Sequence, residues 1–287
     1  MEFHFEKAPL DLSPWVIGFG ERRDETSQAE LIELPIPSAA LHFMMGGDYF
    51  VARESAAPRA ALWGPVVEPA AAFTDAPAQV FLVFLTAHGA VALARAPLST
   101  LMGRRIESEA LRRSGDDDLA DRLSQASDFA ERAAIARAWL RRRFEASGHS
   151  AAPVLVLCDA IIAGEFAGSV QNAAAAIGLT TRGLNKAFRR EIGCSPKRLL
   201  RIARLKRVLQ AVHPRPWAGR PDVDPFLEYH DQAHLDRDFA DLTGVSRRSY
   251  IQNKTATGDQ LLFTMSESRN LVNPLGANIK DAKGAQG

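Results

Sequence analysis

The sequence of 287 residues is poor in cysteine, with only Cys158 and Cys194. Two distant cysteines provide neither a disulfide framework nor the clustered thiols of a zinc site. Free cysteines usually pack in protein interiors as small apolar residues. We therefore expect both thiols to be buried and the chain to occupy a reducing, cytoplasmic environment.

Long hydrophobic runs are also scarce. The first residues, MEFHFEKAPLDLSPW, lack the basic start and the apolar stretch of a signal peptide. The most apolar stretch, Val80 to Ala94, is shorter than the roughly 20 residues of a membrane span, and His88-Gly89 interrupts it. The sequence therefore predicts no membrane partner, and at this stretch a buried strand, a turn and a short helix.

Motifs typical of enzymes and metal sites are missing. His42 and His88 are not accompanied by a His-x-His pair, a nearby Glu or a third His, as a metal site would need. No Ser/His/Asp order and no paired-carboxylate pattern stands out. We therefore expect a protein that is not an enzyme and that has no metal and no cofactor.

An overall excess of charge is missing too, but the charge is unevenly distributed. The chain has 35 Lys and Arg residues against 34 Asp and Glu residues, for a net charge of +1. The stretch from Ser169 to Val212 alone contains ten Lys and Arg residues and a single acid, Glu191. Such a concentration of positive charge is typical of a surface that binds nucleic acid.

The length fits about two domains, and the first, residues 1–105, is predicted to be rich in β-strands. Short apolar or alternating runs are separated there by Gly and Pro, which favours an antiparallel barrel or sandwich. The runs are Glu30 to Leu34, Ala40 to Met45, Asp48 to Ala52, Arg59 to Val67 and Gln79 to Leu85. Aromatic residues of this region either fill its core, the interpretation we favour, or line a ligand cavity. They are Trp15, Phe43, Trp63, Phe81 and Phe84.

Residues 106–148 have helical spacing and form a predicted linker or dimerisation segment. Asp116 to Asp118 indicate a helix start, because acids are favourable at helix N-termini. Arg137 and Arg141 to Arg143 lie near the end of a second helix, where we expect solvent contact in preference to DNA contact. These helices would pack on the barrel or pair with a second subunit. The small, polar stretch from Glu145 to Ser150 marks the domain boundary.

The basic stretch has the signals of a helix-turn-helix. Ser169 and Thr180 can cap two successive helices, and Gly178 between them can adopt the left-handed conformation of a tight turn. Leu184 and Phe188 are four residues apart and are expected to face inward. The longer Lys- and Arg-rich helix that follows would brace the unit and contact phosphates.

Polar and basic side chains cover the outer face of the second helix. They are Thr181, Arg182, Asn185, Lys186, Arg189 and Arg190. Arg and Lys can read guanine in the major groove, and Asn can pair with adenine. The alternative is an ordinary solvated helix face, which the turn and the concentrated charge disfavour.

A second, weaker copy of this pattern occupies Glu228 to Tyr250. Leu235 and Phe239 repeat the four-residue spacing of the inward pair, and Thr243 to Ser246 repeats Ile192 to Ser195. This repeat predicts an all-α C-terminal domain, residues 150–254, with two helix-turn-helix units. Two such units would meet successive major grooves of DNA.

These motifs resemble the DNA-binding domain of the AraC/XylS family of transcriptional regulators, over about Ala152 to Tyr250. The matching positions are Gly193 to Lys197, Arg204-Leu205, Tyr229 to Leu235, Phe239 and Thr243-Gly244. By resemblance, the chain is a one-component regulator whose β-rich half senses a signal. The family's base-reading positions correspond to Arg182, Asn185 and Lys186 in the first unit, and to Gln232, Ala233, His234, Asp236 and Arg237 in the second.

The second unit departs from the family pattern. Glu228 replaces a usual Gly, and Gly219, Pro221 and Pro225 interrupt the helix expected near Trp217. Residues 213–250 contain five Arg and seven acids, a net −2, whereas residues 169–212 are net +9. Since phosphate attraction supplies most non-specific affinity, we expect the first unit to dominate binding. The second would read weakly, through Gln232, His234 and Arg237.

The sequence thus predicts an α+β protein with a β-rich barrel or sandwich-like sensor domain, a helical linker, the two-unit all-α domain and a mostly flexible tail, residues 255–287. Its predicted function is sequence-specific transcription regulation in the cytoplasm, with double-stranded DNA as partner. A small-molecule effector and a second copy of the chain are the further partners considered. The alternative is a small-molecule-binding or catalytic β-barrel protein with a degenerate DNA-binding half.

Overall fold

The structure, a computed structural model, describes residues 2–24, 28–51, 59–107, 118–145, 151–212, 225–248 and 250. Several predictions fall outside these residues. They concern the acids Asp116 and Asp117, most of the linker before Ser150, the interrupted helix near Trp217 and the tail after residue 254.

The N-terminal half forms one antiparallel sheet, which confirms its β-rich prediction. Its seven strands are β1 (Glu2–Lys7), β2 (Val16–Asp24), β3 (Gln28–Glu33), β4 (Ala40–Val51), β5 (Ala60–Trp63), β6 (Ala70–Leu85) and β7 (Arg105–Glu107). The order is β1-β2-β6-β4-β5-β7, and β3 pairs with the first part of β6. Between the strands that the structure describes, no pairing joins β1 to β7, so the sheet is not a closed barrel.

Strand β4 runs through Gly46-Gly47, where the sequence predicted a break. The register against β6 shifts on both sides of Gly46. Gly47 has a φ of 68°, and a Cβ there would lie 2.3 Å from the carbonyl oxygen of Pro77. The two glycines therefore form a bulge within one strand, and Pro77 lies within β6 opposite that bulge. The prediction of two separate strands was wrong.

The aromatic residues of the sheet fill its core. The ring of Phe81 lies 6.5 Å from that of Phe19, 6.4 Å from that of Phe43 and 6.2 Å from that of Phe129. All five aromatic residues considered above are buried. These contacts agree with a packed core and not with a lined cavity.

Eight α-helices accompany the sheet in the described ranges. They are α1 (Ala87–Ala94), α2 (Leu119–Gln125), α3 (Phe129–Phe144), α4 (Pro153–Ala163), α5 (Val170–Ala176), α6 (Thr181–Glu191), α7 (Pro196–Val212) and α8 (Gln232–Thr243). Short 3₁₀ turns occupy Leu98–Thr100 and Pro225–Glu228. The predicted strand and short helix in Val80 to Ala94 are confirmed as the end of β6 and α1. Over the described residues, none of the helices has both the length and the apolar character needed to cross a membrane.

Helix α3 packs on the sheet, which is one of the two arrangements predicted for this segment; the other was pairing with a second subunit. Arg132 is buried on it and donates from Nη1 to Oε2 of the buried Glu21 on β2, over 2.9 Å. Arg137 pairs with Glu6, and Nε of Arg141 lies 2.6 Å from a carboxylate oxygen of Asp11. Two of the arginines that we expected to be solvated therefore bind acids of the N-terminal half.

One hydrophobic core joins the two halves of the chain. Trp139 of α3 and Leu157 and Cys158 of α4 belong to the same cluster as the sheet residues, and Leu184 of α6 also lies in it. Cys158 and Cys194 are free and buried, as expected. The halves are therefore packed against each other, whereas the domain boundaries stay a prediction.

Candidate nucleic-acid interface

Helices α5 and α6 form the predicted helix, tight turn and helix. The backbone N–H of Asn172 donates to Oγ of Ser169 over 3.1 Å, which caps α5. Gly178 has a φ of 69°, and the N–H of Leu179 donates to the carbonyl of Ala174 over 2.9 Å. These bonds are typical of a glycine turn that ends one helix and redirects the chain.

The start of α6 is fixed by Thr180, whose Oγ1 accepts a hydrogen bond from the N–H of Gly183 over 3.1 Å. A Cβ at Gly183 would lie 3.3 Å from that same oxygen, so the glycine leaves room for the cap. Leu184 and Phe188 are fully buried, which confirms the inward face. Helix α6 is thus fixed to the core by its buried face and capped at its first turn.

The opposite side of α6 is open to solvent. Five of the six candidate DNA contacts on it are exposed: Thr181, Arg182, Lys186, Arg189 and Arg190. Asn185 is half-buried, and its Nδ2 donates to the carbonyl of Thr181 over 2.8 Å, within the same helix. The structure thus brings the predicted stripe together on one exposed face, with Asn185 turned partly toward its own backbone.

The cations on this stripe differ in their pairing. Nε of Arg190 lies 2.6 Å from Oε1 of the adjacent Glu191. For Arg182, Lys186 and Arg189, no acidic partner is found among the residues whose structure is described. Their charge is therefore available to an external anion.

The basic residues of α7 are arranged differently. Arg198, Arg201, Arg204 and Arg207, here called the arginine row, follow at three-residue intervals along one face. All of them pair with acids of the second unit: Asp241, Asp238 and Glu228. The hydrogen bond from Arg201 is the main reason that the pKa of Asp241 is lowered.

The charge of the arginine row is therefore compensated within the fold, and the phosphate contacts expected of this helix stay a prediction. Lys206 is also buried, and its Nζ donates to the carbonyl of Ile162 over 3.0 Å. Lys197, in the first turn of α7, is exposed and has no ion pair within the described part of the chain. Lys197 is thus one of the cations for which the sequence predicted phosphate contact, and it is accessible in the described structure.

Helix α8 covers the second of the two helices predicted for the second unit. The N–H of His234 donates to Oδ1 of Asp231 over 2.6 Å, and Leu235 and Phe239 are buried. The remaining candidates of this unit are Gln232 and Arg237, which are exposed, and His234, which is half-buried with its ring 5.2 Å from that of Tyr229. The first helix of this unit falls outside the described residues, so the second helix-turn-helix stays a prediction.

His42 and His88, the two histidines compared above with metal ligands, each stack on an aromatic ring. His42 stacks on Trp63 with ring centroids 4.1 Å apart, and burial lowers its pKa to about 3, assisted by Arg105 and Arg22. The ring of His88 stacks on that of Trp15 at 6.3 Å. Within the described ranges, no three His, Cys, Asp or Glu residues are grouped so that they could hold a metal ion.

Comparison with known proteins gives limited information. No protein-family model matches the sequence, and no curated protein matches it significantly. Among solved structures, the chain is similar to ToxT from Vibrio cholerae O395, with 8% identity, a TM-score of 0.43, and 83% of this chain and 97% of ToxT covered. For ToxT bound to (E)-4-(8-methylnaphthalen-1-yl)but-3-enoic acid, the identity is 7% and the TM-score 0.45, with 88% of this chain and 99% of ToxT covered. For ToxT of strain SCE256 with a bound unsaturated fatty acid, the identity is 7% and the TM-score 0.42, with 80% of this chain and 92% of ToxT covered. Identities and TM-scores this low do not indicate what this chain binds.

Proposed function

We propose that this protein is a sequence-specific DNA-binding transcription regulator that reads the major groove mainly through α6. The observation that carries the proposal is the stripe of exposed cations, Arg182, Lys186 and Arg189, without acidic partners in the described structure. It lies on a capped helix whose opposite face is fixed by the fully buried Leu184 and Phe188. A rigid helix with such a face fits the width of the major groove.

The side chains of this stripe have distinct proposed roles. Arg182 and Lys186, near the start of the helix, would donate to guanine O6 and N7, and Asn185 would turn its amide toward adenine. Thr181 and Arg189 would contact phosphates, together with Lys197 of the next helix. Arg190 would donate a hydrogen bond to a phosphate while Glu191 compensates its charge. Phosphate contacts fix the register of the protein on DNA, and base contacts give the sequence preference.

The second unit would contribute less. Gln232, His234 and Arg237 would touch DNA. Three acids of this unit, Glu228, Asp238 and Asp241, are engaged with the arginine row. The resemblance of the two units to AraC/XylS-family regulators supports the regulatory role, in which the sheet half receives the signal from a small molecule or a second copy of the chain.

Selection of bound duplexes from a random pool tests this proposal, followed by affinity measurements on the selected site. We expect Arg182→Ala and Lys186→Ala each to weaken binding about ten- to hundredfold, since a good base contact contributes about 1–3 kcal/mol. Arg237→Ala removes the same charge from the second unit and is the matched control, expected to cost at most about threefold. Gln232→Ala should behave likewise.

Two outcomes would contradict the proposal. Equal losses in the two units would mean that α6 does not dominate recognition. If no duplex binds even at low salt, where phosphate attraction is strongest, the alternative of a ligand-binding or catalytic protein with a degenerate DNA-binding half would be favoured.

A further inference from the structure

We propose that the sheet half sets the spacing between α6 and α8 through two loops, residues 64–69 and 98–104, with Arg198 as the positioning residue. These two segments are called the anchor loops. The inference rests on the proposed function, because spacing between reading helices matters only if both meet DNA. It concerns the regulation of that interface and not its base contacts.

The anchor loop of residues 98–104 holds the end of α6. Oγ of Ser99 donates to the carbonyl of Arg190 over 2.5 Å, in the last turn of that helix. Gly193, with a φ of 95°, lies just after α6 and packs against the same loop. A Cβ on it would lie 2.9 Å from Cα of Ser99 and 3.1 Å from Cε of Met102. The end of α6 therefore lies directly on the loop of residues 98–104.

The second contact is made by Arg198 at the start of α7. Its Nε and Nη2 donate to the carbonyl of Val67 over 3.1 and 2.8 Å, and Nη2 also donates to Glu68 over 2.7 Å. Its Nη1 donates to Asp241 of α8 over 2.9 Å. One guanidinium group thus joins the loop of residues 64–69 to the last turns of α8.

Helix α8 touches the same loop at its end. Gly244, which ends α8 with a φ of 76°, packs near the ring of Pro69, where a Cβ on the glycine would lie 3.7 Å from Cγ. Pro69 directly follows Glu68. The carboxyl ends of both reading helices are therefore held by the sheet half, one by each anchor loop.

The two anchor loops are bonded to each other. The N–H of Gly64 donates to the carbonyl of Arg104, and the N–H of Gly103 donates to that of Pro65, both over 2.8 Å. Gly64 also packs so tightly that a Cβ on it would lie 1.7 Å from the carbonyl oxygen of Leu101. The loops therefore form one block at the end of the β5–β7 pair.

A single block that holds the ends of both helices fixes the distance between them. The distance between two reading helices determines the half-site spacing that a protein accepts on DNA. A signal that shifts this block relative to either helix would change the accepted spacing without touching a base-reading residue. Arg198 carries this coupling because it bonds to the loop and to α8 at the same time.

The test uses the full chain and the duplex that it selects, with three probes. One keeps the selected spacing of half-sites, one moves the second half-site by two base pairs, and one carries the first half-site alone. The variant Ser99→Ala/Glu68→Ala removes one side-chain hydrogen bond from each anchor, because alanine has neither the hydroxyl donor nor the carboxylate acceptor. Ser13→Ala/Glu145→Ala is the matched control, because Ser13 also donates to a backbone carbonyl and Glu145 is an exposed acid without an ion pair in the described structure.

We expect the anchor variant to lose about three- to tenfold of its preference for the selected spacing, the usual size of coupling between sites. Its affinity for the first half-site alone should stay within about twofold, and the control should match wild type on all probes. A preference that the anchor variant retains in full overturns the inference, as does a wild-type protein that accepts both spacings equally.

Hydrogen exchange tests the anchors without DNA. Amide protection in the last turns of α6 and α8 should fall in the anchor variant, while protection in α4 stays as in wild type. Unchanged protection in α6 and α8 overturns the inference. If wild type binds no duplex, the proposed function fails, and this exchange experiment still decides whether the anchors hold the helices.

Discussion

At the scale of single residues, the ionisation of Asp159 bears directly on the junction of the two halves. It is buried on α4, and its Oδ1 accepts a hydrogen bond of 2.8 Å from the N–H of Ala87, at the start of α1. Burial raises the pKa of Asp159 to about 7, and the hydrogen bonds from the N–H groups of Ala87 and His88 lower it only in part. A carboxyl of the C-terminal half thus caps a helix of the N-terminal half.

The raised pKa predicts a pH dependence of stability with a definite sign. Because the folded pKa lies above the unfolded value of 3.8, the contribution of Asp159 is fully present below that value and is lost as pH rises toward 7. The loss is up to about 1.4 kcal/mol per pH unit. We expect the unfolding free energy of Asp159→Asn, relative to wild type, to rise between pH 5 and 7 and to level off above that.

Urea unfolding at pH 5, 6, 7 and 8 measures this difference. Asp118→Asn, which removes an exposed carboxyl at the start of α2, is the control, and its difference from wild type should stay constant. A constant difference for Asp159→Asn as well would mean that the buried carboxyl does not titrate in this range.

At the scale of elements, features that depend on neighbouring residues could be predicted from the sequence, and features that depend on distant residues could not. The caps Ser169 and Thr180 and the turn at Gly178 depend on neighbouring residues only, and the structure confirms them. Strand β2 was not predicted, because Glu21 and Arg22 within it look like surface residues. Glu21 is buried with its carboxylate bound by Arg23, by Gln79 and by Arg132, which lies 111 residues later in the chain.

The acidity of the second unit has a structural explanation of the same kind. From the sequence it indicated weak phosphate attraction, and the structure adds that Asp238, Asp241 and Glu228 hold the arginine row. The three-residue interval of those arginines is visible in the sequence. Their partners follow 21 to 43 residues later, so only the fold reveals the pairing.

This pairing predicts that Asp238→Asn destabilises the protein by about 1–3 kcal/mol, because an arginine left without its buried carboxylate loses its compensation. Asp238 lies 2.8 Å from Arg201, with its side chain 7% exposed. Asp236→Asn on the same helix is the control. The side chain of Asp236 is 46% exposed, so we expect its ion pair with Arg247 to contribute less than about 1 kcal/mol to stability. Chemical denaturation should separate the two variants, and equal losses would contradict the role given to Asp238.

At the scale of the whole molecule, the continuous core limits what composition could reveal. The small, polar stretch from Glu145 to Ser150 predicts a domain boundary. Composition does not show that Trp139 before it and Leu157 after it share one cluster with the sheet. Net charge misleads in a similar way. The basic stretch contains ten cations, but the fold engages Arg190, Lys206 and the arginine row, so only four remain without a partner in the described structure.

The salt dependence of DNA binding should report these four cations and not the ten. Each phosphate neutralised contributes about −0.9 to the slope of log affinity against log salt. Arg182 and Lys186 are counted with Arg189 and Lys197, because a cation that enters the groove to reach a base also offsets phosphate charge there. These four would give a slope of about −3.6 per chain. Arg237 and Arg248, both exposed in the second unit, would bring it to about −5.4. Engagement of all ten cations of the first unit would give about −9.

Titration of the selected duplex at several potassium chloride concentrations measures this slope. Lys197→Ala should make it about 0.9 less steep, whereas Arg204→Ala should leave it unchanged, because Arg204 faces Glu228 and Asp238. A slope near −9 would mean that DNA displaces the acids from the arginine row. The second unit would then have to separate from α7 on binding, and the acids of α8 would act as a competitor for DNA and not as a brace.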